Sequence, residues 1–341
     1  MITKLKADAF LKQSHLLTIL DVRSPSEFIQ GHITGAFNLP LFTDEERAKV
    51  GIRYKNSGRD FAVKLGLQII GPKLSWLAEE AQRLAPARNV LLHCWRGGMR
   101  SESMAWLLQL SGFEVQLLDG GYKAYRSYIR GQLALPAKLI VLGGLTGSGK
   151  SAVLKQLAIC GQQVLDLETL ANHKGSVFGG LGQSDQPTTG QFENNIYPVW
   201  EAFDLSKTIW VEDESRAIGS VNIPEILFYT MMKSPIAVME VPSEIRVERL
   251  VKEYAGMPAQ GLIDALMHIK DSLGGTATSE ALVALRNGEF HVVARLALVH
   301  YDRLYSKSLA RRNANVVNRL VVIEDNPART ASALIQLNAD L

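Results

Sequence analysis

Cysteine is scarce in this 341-residue chain, and the only two are Cys94 and Cys160. Two cysteines cannot build a disulfide framework or a cysteine-based zinc site. Long hydrophobic runs are also missing: no apolar stretch reaches the roughly 18 residues of a membrane-spanning helix, and the first residues lack the apolar core of a signal peptide. These absences predict a cytoplasmic protein without a membrane partner.

The composition is that of a globular protein, because 47% of the residues are hydrophobic and 21% are charged. A chain of this length predicts two or three domains. The net charge of +3 is unevenly distributed, since residues 1–135 carry 18 basic and 12 acidic side chains whereas the remainder carries 19 and 22. A basic first half suits an acidic partner, although ordinary solvated surfaces show similar excesses.

Predicted strands and helices alternate along the chain. The first part has strand candidates at residues 17–23, 90–92 and 115–118, a helix at 74–85 and a charged stretch at 43–64 that is predicted to leave the core. After a short linker at 131–136, further strand candidates follow at residues 138–142, 164–167, 208–211, 236–241 and 320–323. Such alternation predicts mostly parallel sheets with helices on both faces.

Cys94 lies in a loop between a predicted strand and a predicted helix. Amides at a helix N-terminus, the helix dipole and nearby guanidinium groups favour a thiolate, and Gly97 and Gly98 let the backbone curl around an anion. Arg96 and Arg100 are positioned to hold that anion or to favour the thiolate. We therefore predict a reactive cysteine with an anion site; the alternative is a small buried side chain at a strand end.

A second anion site is predicted where residues 144–151 match G-x-x-x-x-G-K-[ST] between a strand and a helix. The backbone amides of 147–151 would cradle a diphosphate, Lys150 would neutralise it, and Ser151 could bind Mg²⁺. The predicted diphosphate-binding residues are Gly144, Gly147, Ser148, Gly149, Lys150 and Ser151.

Several further segments could serve this phosphate-binding loop. Asp213 and Glu214 end an apolar strand, where an acid can hold a metal through water, although an ordinary acidic strand end fits equally well. The glycine-rich residues 174–182 predict a loop that could close over a ligand, although an ordinary surface loop fits equally well. Arg246 and Arg249 share a helix face at positions where related proteins often place a lid arginine, which is an analogy.

A basic segment at residues 295–319 also carries interleaved His300, Tyr301 and Tyr305. Basic groups contact phosphates and aromatic rings stack on unpaired bases, so the segment is a candidate RNA-contacting helix. A solvated helix with its tyrosines in the core is the alternative. The candidate RNA contacts are Arg303, Lys307, Arg311 and Arg312.

The strand ending Leu20-Asp21-Val22-Arg23, the Cys94 loop and the turn at 118–122 together resemble a rhodanese domain over residues 1–132. Residues 137–341 resemble a P-loop NTPase-like parallel α/β domain with a helical, partly basic C-terminal part. Over nearly its full length, on the motifs at 93–101, 144–151 and 211–219, the chain resembles the bacterial tRNA 2-selenouridine synthases.

This resemblance implies a transferase that converts 2-thiouridine at the tRNA wobble position to 2-selenouridine. A geranyl group from geranyl diphosphate would first be transferred to sulfur, and selenium from selenophosphate would then replace the S-geranyl group, with Cys94 accepting selenium as a selenosulfide-type species. The implied partners are the anticodon region of tRNA, with no DNA, and a selenophosphate-supplying enzyme. No tightly bound cofactor is expected beyond these substrates and Mg²⁺.

Two other functions remain open from the residues alone. Cys94 and Arg100 form Cys-x5-Arg after His93, the pattern of cysteine-dependent phosphatases, and such a loop fits a tetrahedral oxyanion. Alternatively, the chain could be a sulfurtransferase or RNA-binding module whose phosphate-binding loop senses a nucleotide. This alternative is open because the motif recognises a diphosphate and does not by itself distinguish geranyl diphosphate from a nucleotide.

Overall fold

The computed structural model describes residues 2–310, 312 and 317–339. The chain divides into two compact units, residues 1–132 and 133–341. Each unit contains its own five-stranded parallel sheet, covered by helices. The predicted α/β class is therefore confirmed.

The sheet of the first unit has the strand order β1-β5-β4-β2-β3, and every neighbouring pair is parallel. Val90, Leu91 and Leu92 of the central strand are fully buried, as expected for a parallel strand covered on both faces. The strands are β1 (Thr3–Leu5), β2 (Thr18–Asp21), β3 (Phe37–Asn38), β4 (Asn89–His93) and β5 (Glu114–Leu118).

Seven helices accompany this sheet: α1 (Ala7–Ser14), α2 (Pro25–Ile29), α3 (Asp44–Ser57), α4 (Arg59–Ile70), α5 (Leu74–Leu84), α6 (Met99–Leu110) and α7 (Gly121–Leu133). A 3-10 turn covers Gly71–Lys73. The charged stretch at 43–64 forms α3 and the first half of α4. Thr43 and Glu46 form a capping box at the start of α3, and no residue of α3 is buried, so this helix does lie outside the core.

The second unit has a parallel sheet in the order β12-β11-β6-β8-β7, with β6 in the middle. Its strands are β6 (Lys138–Gly144), β7 (Gln163–Leu165), β8 (Thr208–Glu212), β11 (Ile236–Glu240) and β12 (Val317–Val321). β9 (Ala217–Ile218) and β10 (Val221–Asn222) form a separate antiparallel pair. β12 begins earlier than predicted from the sequence because its first residue pairs with the start of β11.

The helices of this unit are α8 (Lys150–Ile159), α9 (Leu167–Ala171), α10 (Thr189–Glu201), α11 (Glu225–Lys233), α12 (Ser243–Tyr254), α13 (Ala259–His268), α14 (Lys270–Leu273), α15 (Gly275–Arg286), α16 (Phe290–Leu309) and α17 (Pro327–Ala339). Helices α12 to α16 form the helical part, with an apolar cluster of its own that includes Leu262, Leu266 and Leu285. Across the described residues, no helix is long and apolar enough to cross a membrane.

A buried ion pair lies under the Cys94 end of the first sheet. Arg23 donates to both carboxylate oxygens of Asp21, with a shortest distance of 2.5 Å, and to the carbonyl of Gly31 at 2.7 Å. Both side chains are fully buried. Burial by itself raises the pKa of Asp21, but the cations His93 and Arg23 and the hydrogen bonds from Arg23 hold it below its ordinary value. Because burial also lowers the pKa of His93, Arg23 is the cation that matters near neutral pH.

We predict that Asp21→Ala lowers the free energy of unfolding of the first unit by about 3–5 kcal/mol, because it leaves a buried guanidinium without its partner. Amide hydrogen exchange of peptides from residues 1–132 in the full chain measures this effect. The control is Lys4→Ala, which breaks the exposed pair of Lys4 with Glu102 and should leave hydrogen exchange of the same peptides close to that of the wild type, because exposed ion pairs contribute little to stability. Equal effects of the two substitutions would contradict the prediction.

Candidate functional site

Cys94 follows the central strand β4 directly, and α6 begins five residues later at Met99. Its side chain is only 3% exposed. The sulfur lies 3.2 Å from the hydroxyl of Ser101 and 3.9 Å from the carbonyl oxygen of Gly98. The cysteine therefore lies at the base of the loop, against the first turn of α6. Its role as a reactive thiolate beside an anion site stays a prediction.

The loop is held in place by the turn between β5 and α7. Tyr122 donates its backbone N–H to the carbonyl of Cys94 at 2.8 Å, and Lys123 donates to Trp95 at 3.0 Å. Gly97 has a φ of +65°, and a Cβ on it would lie 2.8 Å from the backbone of Gly120. Only glycine fits there, because the loop and the turn pack backbone to backbone.

The two arginines of the loop have different surroundings. Arg100 forms an ion pair with Glu27 at 2.5 Å. Burial raises the pKa of Glu27, but Arg100 more than offsets this and holds the pKa below its ordinary value. Arg96 is exposed, and no carboxylate in the described part of the chain pairs with it. Arg96 is thus available to a ligand, whereas Arg100 must leave Glu27 to reach one.

Four aromatic or basic groups at the loop were not assigned a role in the site from the sequence. The guanidinium of Arg23 lies 3.9 Å from the ring centre of Tyr122 and 5.7 Å from that of Trp95. His93 is fully buried, and its Nε2 has no hydrogen-bond partner among the described residues. Burial lowers the pKa of His93, so its ring is neutral. The sequence motifs contained these residues, but nothing local indicated that their side chains lie together behind the loop.

The phosphate-binding loop occupies residues 145–149, between the central strand β6 and α8. Gly147 and Gly149 have φ values of +76° and +82°, which glycine adopts without strain. Gly149 caps the N-terminus of α8. The backbone thus has the conformational freedom that the motif predicted, at the carboxyl end of the sheet where ligands of such folds bind.

Lys150 and Ser151 point to the same region as this loop. The Nζ of Lys150 lies 3.3 Å from the carbonyl oxygen of Gly144. Ser151 donates its hydroxyl to Glu168 at 2.7 Å, and Glu168 is held by Glu212, which accepts its backbone N–H at 2.6 Å. Ser148 is buried and its hydroxyl has no partner among the described side chains and backbone groups. Glu168 was not singled out in the sequence, although it follows the predicted strand at 164–167.

The two acids after β8 have separate surroundings. Asp213 forms an ion pair with Arg312 at 2.5 Å, and the Arg312 side chain is only 3% exposed. Glu214 lies in the cavity wall, where burial raises its pKa to about 8; Lys150 opposes the rise and Glu168 adds to it. At pH 7 the Glu214 carboxyl is therefore mostly neutral, which removes its repulsion of a diphosphate. In the described residues, no cluster of three or more acidic, histidine or cysteine side chains could hold a metal ion.

The predicted RNA contact at Arg312 is wrong, because this side chain is buried against Asp213 and also donates to the carbonyl of Met231 at 3.0 Å. The helix predicted across 295–319 ends at Leu309. Arg303 and Lys307 are exposed on α16, so their assignment stays a prediction. Arg311 lies outside the described residues.

The tyrosines of α16 line the phosphate-binding side of the second unit. Tyr305 accepts the backbone N–H of Gly144 at 2.9 Å, and Tyr301 accepts that of Val177 in the glycine-rich segment at 3.2 Å. Residues 174–182 contain neither helix nor strand, as predicted. Both hydroxyls thus bind backbone groups of the second unit beside the phosphate-binding loop, and stacking of these rings on an unpaired base stays a prediction.

Arg246 and Arg249 support the phosphate-binding loop from α12. Arg246 donates to the carbonyl of Thr146 at 3.2 Å and forms an ion pair with Asp302 at 2.7 Å. Arg249 donates to the carbonyl of Ser148 and pairs with Asp325 at 2.5 Å. Both guanidinium groups bind loop carbonyls and carboxylates, so a lid role does not describe them.

A cavity of about 390 Å³ opens in front of the loop. Its lining includes all six predicted diphosphate-binding residues and both acids but neither Arg246 nor Arg249, and Lys174, Glu253 and the α16 tyrosines complete the wall. The predicted residues that line it are Gly144, Gly147, Ser148, Gly149, Lys150, Ser151, Asp213 and Glu214. The arrangement is suited to binding a diphosphate through backbone amides and one lysine, beside acids that are partly neutralised.

Comparison with known proteins agrees with this arrangement. A family model described as the tRNA 2-selenouridine synthase AAA domain matches residues 137–324, and the rhodanese-like domain model matches residues 4–128. A tRNA 2-selenouridine synthase from Bdellovibrio bacteriovorus is 35% identical, over 88% of this chain and 91% of that protein. Proteins of the same name from Sulfurovum sp. and Nitrosomonas europaea are 40% and 32% identical, covering 69% and 87% of this chain and 65% and 90% of their own lengths. The chain therefore belongs to the tRNA 2-selenouridine synthase family.

Proposed function

We propose that this enzyme of tRNA modification converts wobble 2-thiouridine to 2-selenouridine in two steps, S-geranylation followed by selenation. The observation that carries the proposal is the presence in one chain of a cysteine anion loop and a phosphate-binding loop, each on the central strand of its own sheet. The family relatives are named for 2-selenouridine synthesis on tRNA.

In the first step, the thiocarbonyl sulfur attacks C1 of geranyl diphosphate, a C–S bond forms and the C–O bond to diphosphate breaks. Lys150 and the amides of Gly147 and Gly149 would stabilise the charge that develops on the departing diphosphate. Mg²⁺ accompanying the diphosphate would be held by the Ser151 hydroxyl, since magnesium usually takes few protein ligands and several phosphate or water oxygens. S-Alkylation makes the sulfur a better leaving group for the second step.

In the second step, selenium replaces the S-geranyl group at C2 of the base. Selenium in selenophosphate is already at the selenide level, so the exchange needs no oxidant: the P–Se bond is cleaved, a C–Se bond forms, and geranylthiol and phosphate are released with the consumption of water. A Cys94 selenosulfide would require an oxidant, so we assign Cys94 instead to cleavage of the P–Se bond. Its thiolate attacks phosphorus, selenide leaves, and water later releases the phosphate.

The loop around Cys94 supports this assignment. Its length and the N-terminus of α6 suit a tetrahedral oxyanion, and Arg96 can supply a cation without breaking another ion pair. Arg100 is held by Glu27 and would join when an anion competes for it. Gly98, with its carbonyl near the sulfur, and Gly97 shape the backbone on which the oxyanion would rest.

We predict that Cys94→Ala abolishes 2-selenouridine while S-geranyl-2-thiouridine accumulates, because only the second step uses the thiolate. Mass spectrometry of tRNA nucleosides from selenite-grown cells that carry each variant measures both products. The matched control is Cys160→Ala, because Cys160 is exposed and outside both sites. Selenouridine at wild-type levels in the Cys94 variant would exclude the role assigned to this residue.

We expect Lys150→Ala to weaken binding of geranyl diphosphate by at least about tenfold, since charge-assisted hydrogen bonds to phosphate are lost. Equilibrium binding of geranyl diphosphate and of ATP, each to the wild type and to the variant, tests the donor directly. Lys155→Ala, on the exposed side of the same helix, is the control. Tight Lys150-dependent ATP binding with no response to geranyl diphosphate would favour the nucleotide-sensing alternative.

We propose Arg303 and Lys307 as contacts to tRNA phosphates, since the two are exposed one turn apart on α16. The double variant Arg303→Glu/Lys307→Glu should weaken tRNA binding and reduce the slope of affinity against salt by about one per lost contact. Lys233→Glu changes an exposed lysine on α11 and serves as the control. If affinity and salt slope both stay at wild-type values, tRNA binds elsewhere.

A further inference from the structure

An apolar pocket lies inside the helical part of the second unit. Its walls come from α12, α13, α15 and α16, closed by Phe178 of the glycine-rich segment. Apolar side chains make up nearly all of the lining; the central ones are Val251, Leu262, Leu285, Phe290, Val293 and Ala297. No charged residue lines the pocket, and the motifs in the sequence did not indicate it.

The pocket opens onto the diphosphate cavity. Thr146 of the phosphate-binding loop, Ser176, Leu250, Tyr254 and Tyr301 line both spaces. Polar groups are found mainly at this shared mouth, where the hydroxyls of the first two residues and of the tyrosines lie. A single ligand can therefore have a charged end at the loop and an apolar end among the helices.

Helix α16 gives the pocket its length. Tyr301 lies at the mouth, and Ala297, Ala294 and Phe290 follow on the same face at successive turns. From Tyr301 to Phe290 the helix rises roughly 16 Å at 1.5 Å per residue. The two alanines leave space in the middle, and the ring of Phe290 lies at the far end.

The pocket is narrow in this structure, with a volume of about 50 Å³. A hydrocarbon chain that enters the pocket must displace side chains. The wall formed by Ser176 and Phe178 can yield to it, because these residues belong to a segment without helix or strand. Core packing of a purely structural cluster would be expected to fill the space with larger side chains at 294 and 297. Ala294 and Ala297 instead leave a narrow space along α16 that leads towards the phosphate-binding loop, as in a tunnel that binds a ligand.

We propose that this pocket takes the hydrocarbon chain of an allylic diphosphate and that Phe290 limits the chain length. This inference rests on the proposed geranyl-transfer function and adds the site that selects the donor. The chain would be buried among apolar side chains, which holds C1 at the mouth beside the phosphate-binding loop. A nucleoside is disfavoured, because its polar groups would lose water without gaining partners.

Calorimetric binding of inorganic diphosphate, geranyl diphosphate and farnesyl diphosphate to the full-length protein tests the proposal. The wild type should bind geranyl diphosphate at least tenfold more tightly than inorganic diphosphate. Ala297→Phe fills the pocket and should bring the ratio of these two affinities close to one. Val299→Phe, on the exposed face of the same helix, is the matched control and should keep the wild-type ratio.

Phe290→Ala provides a test that does not depend on loss of binding. Removing the ring should raise the affinity for farnesyl diphosphate, relative to that for geranyl diphosphate, by at least fivefold. An unfolded or damaged protein cannot show such a gain. Ala297→Phe and Phe290→Ala could both keep the wild-type affinity ratios while Lys150→Ala still loses diphosphate binding. The pocket would then not be the site of the hydrocarbon chain, and the proposed geranyl transfer would be unaffected. If the wild type shows no binding of geranyl diphosphate, the proposed function itself fails.

Discussion

A parallel sheet brings the carboxyl ends of its strands to one edge, and this constraint determines where both sites form. Helices that follow central strands begin at that edge with unpaired backbone N–H groups. In the first unit β4 leads to Cys94 and α6, and in the second β6 leads to the phosphate-binding loop and α8. Each unit thus presents unpaired backbone amides at that edge, an arrangement suited to an anion, and a few side chains of different chemistry lie beside them.

The side chains around these backbones are largely neutralised in pairs. Arg23 is paired with Asp21, Arg100 with Glu27, Arg246 with Asp302 and Arg312 with Asp213. Arg96 beside the first loop and Lys150 beside the second have no carboxylate partner among the described residues. An anion arriving at either loop can therefore meet a cation without first breaking a buried ion pair.

The central strands and both glycine loops could be predicted because local signals determine them: runs of buried aliphatic residues and glycines at fixed spacing. The partners of the charged groups could not. Glu27 lies 73 residues from Arg100, and Asp213 lies 99 residues from Arg312, so composition alone gave Arg312 the same status as Arg303. The apolar pocket escaped prediction for a related reason, since it is formed by four helices whose individual patterns indicate only an ordinary core.

Arg246 and Arg249 have a geometric effect on the phosphate-binding loop. They draw the carbonyls of Thr146 and Ser148 towards α12. Because a trans peptide directs its N–H opposite to its C=O, the amides of Gly147 and Gly149 are turned the other way, towards the cavity. The two arginines thereby set the polarity of the loop. Its electropositive face is already directed at the cavity, and an anion that bound there would not have to reorder the backbone.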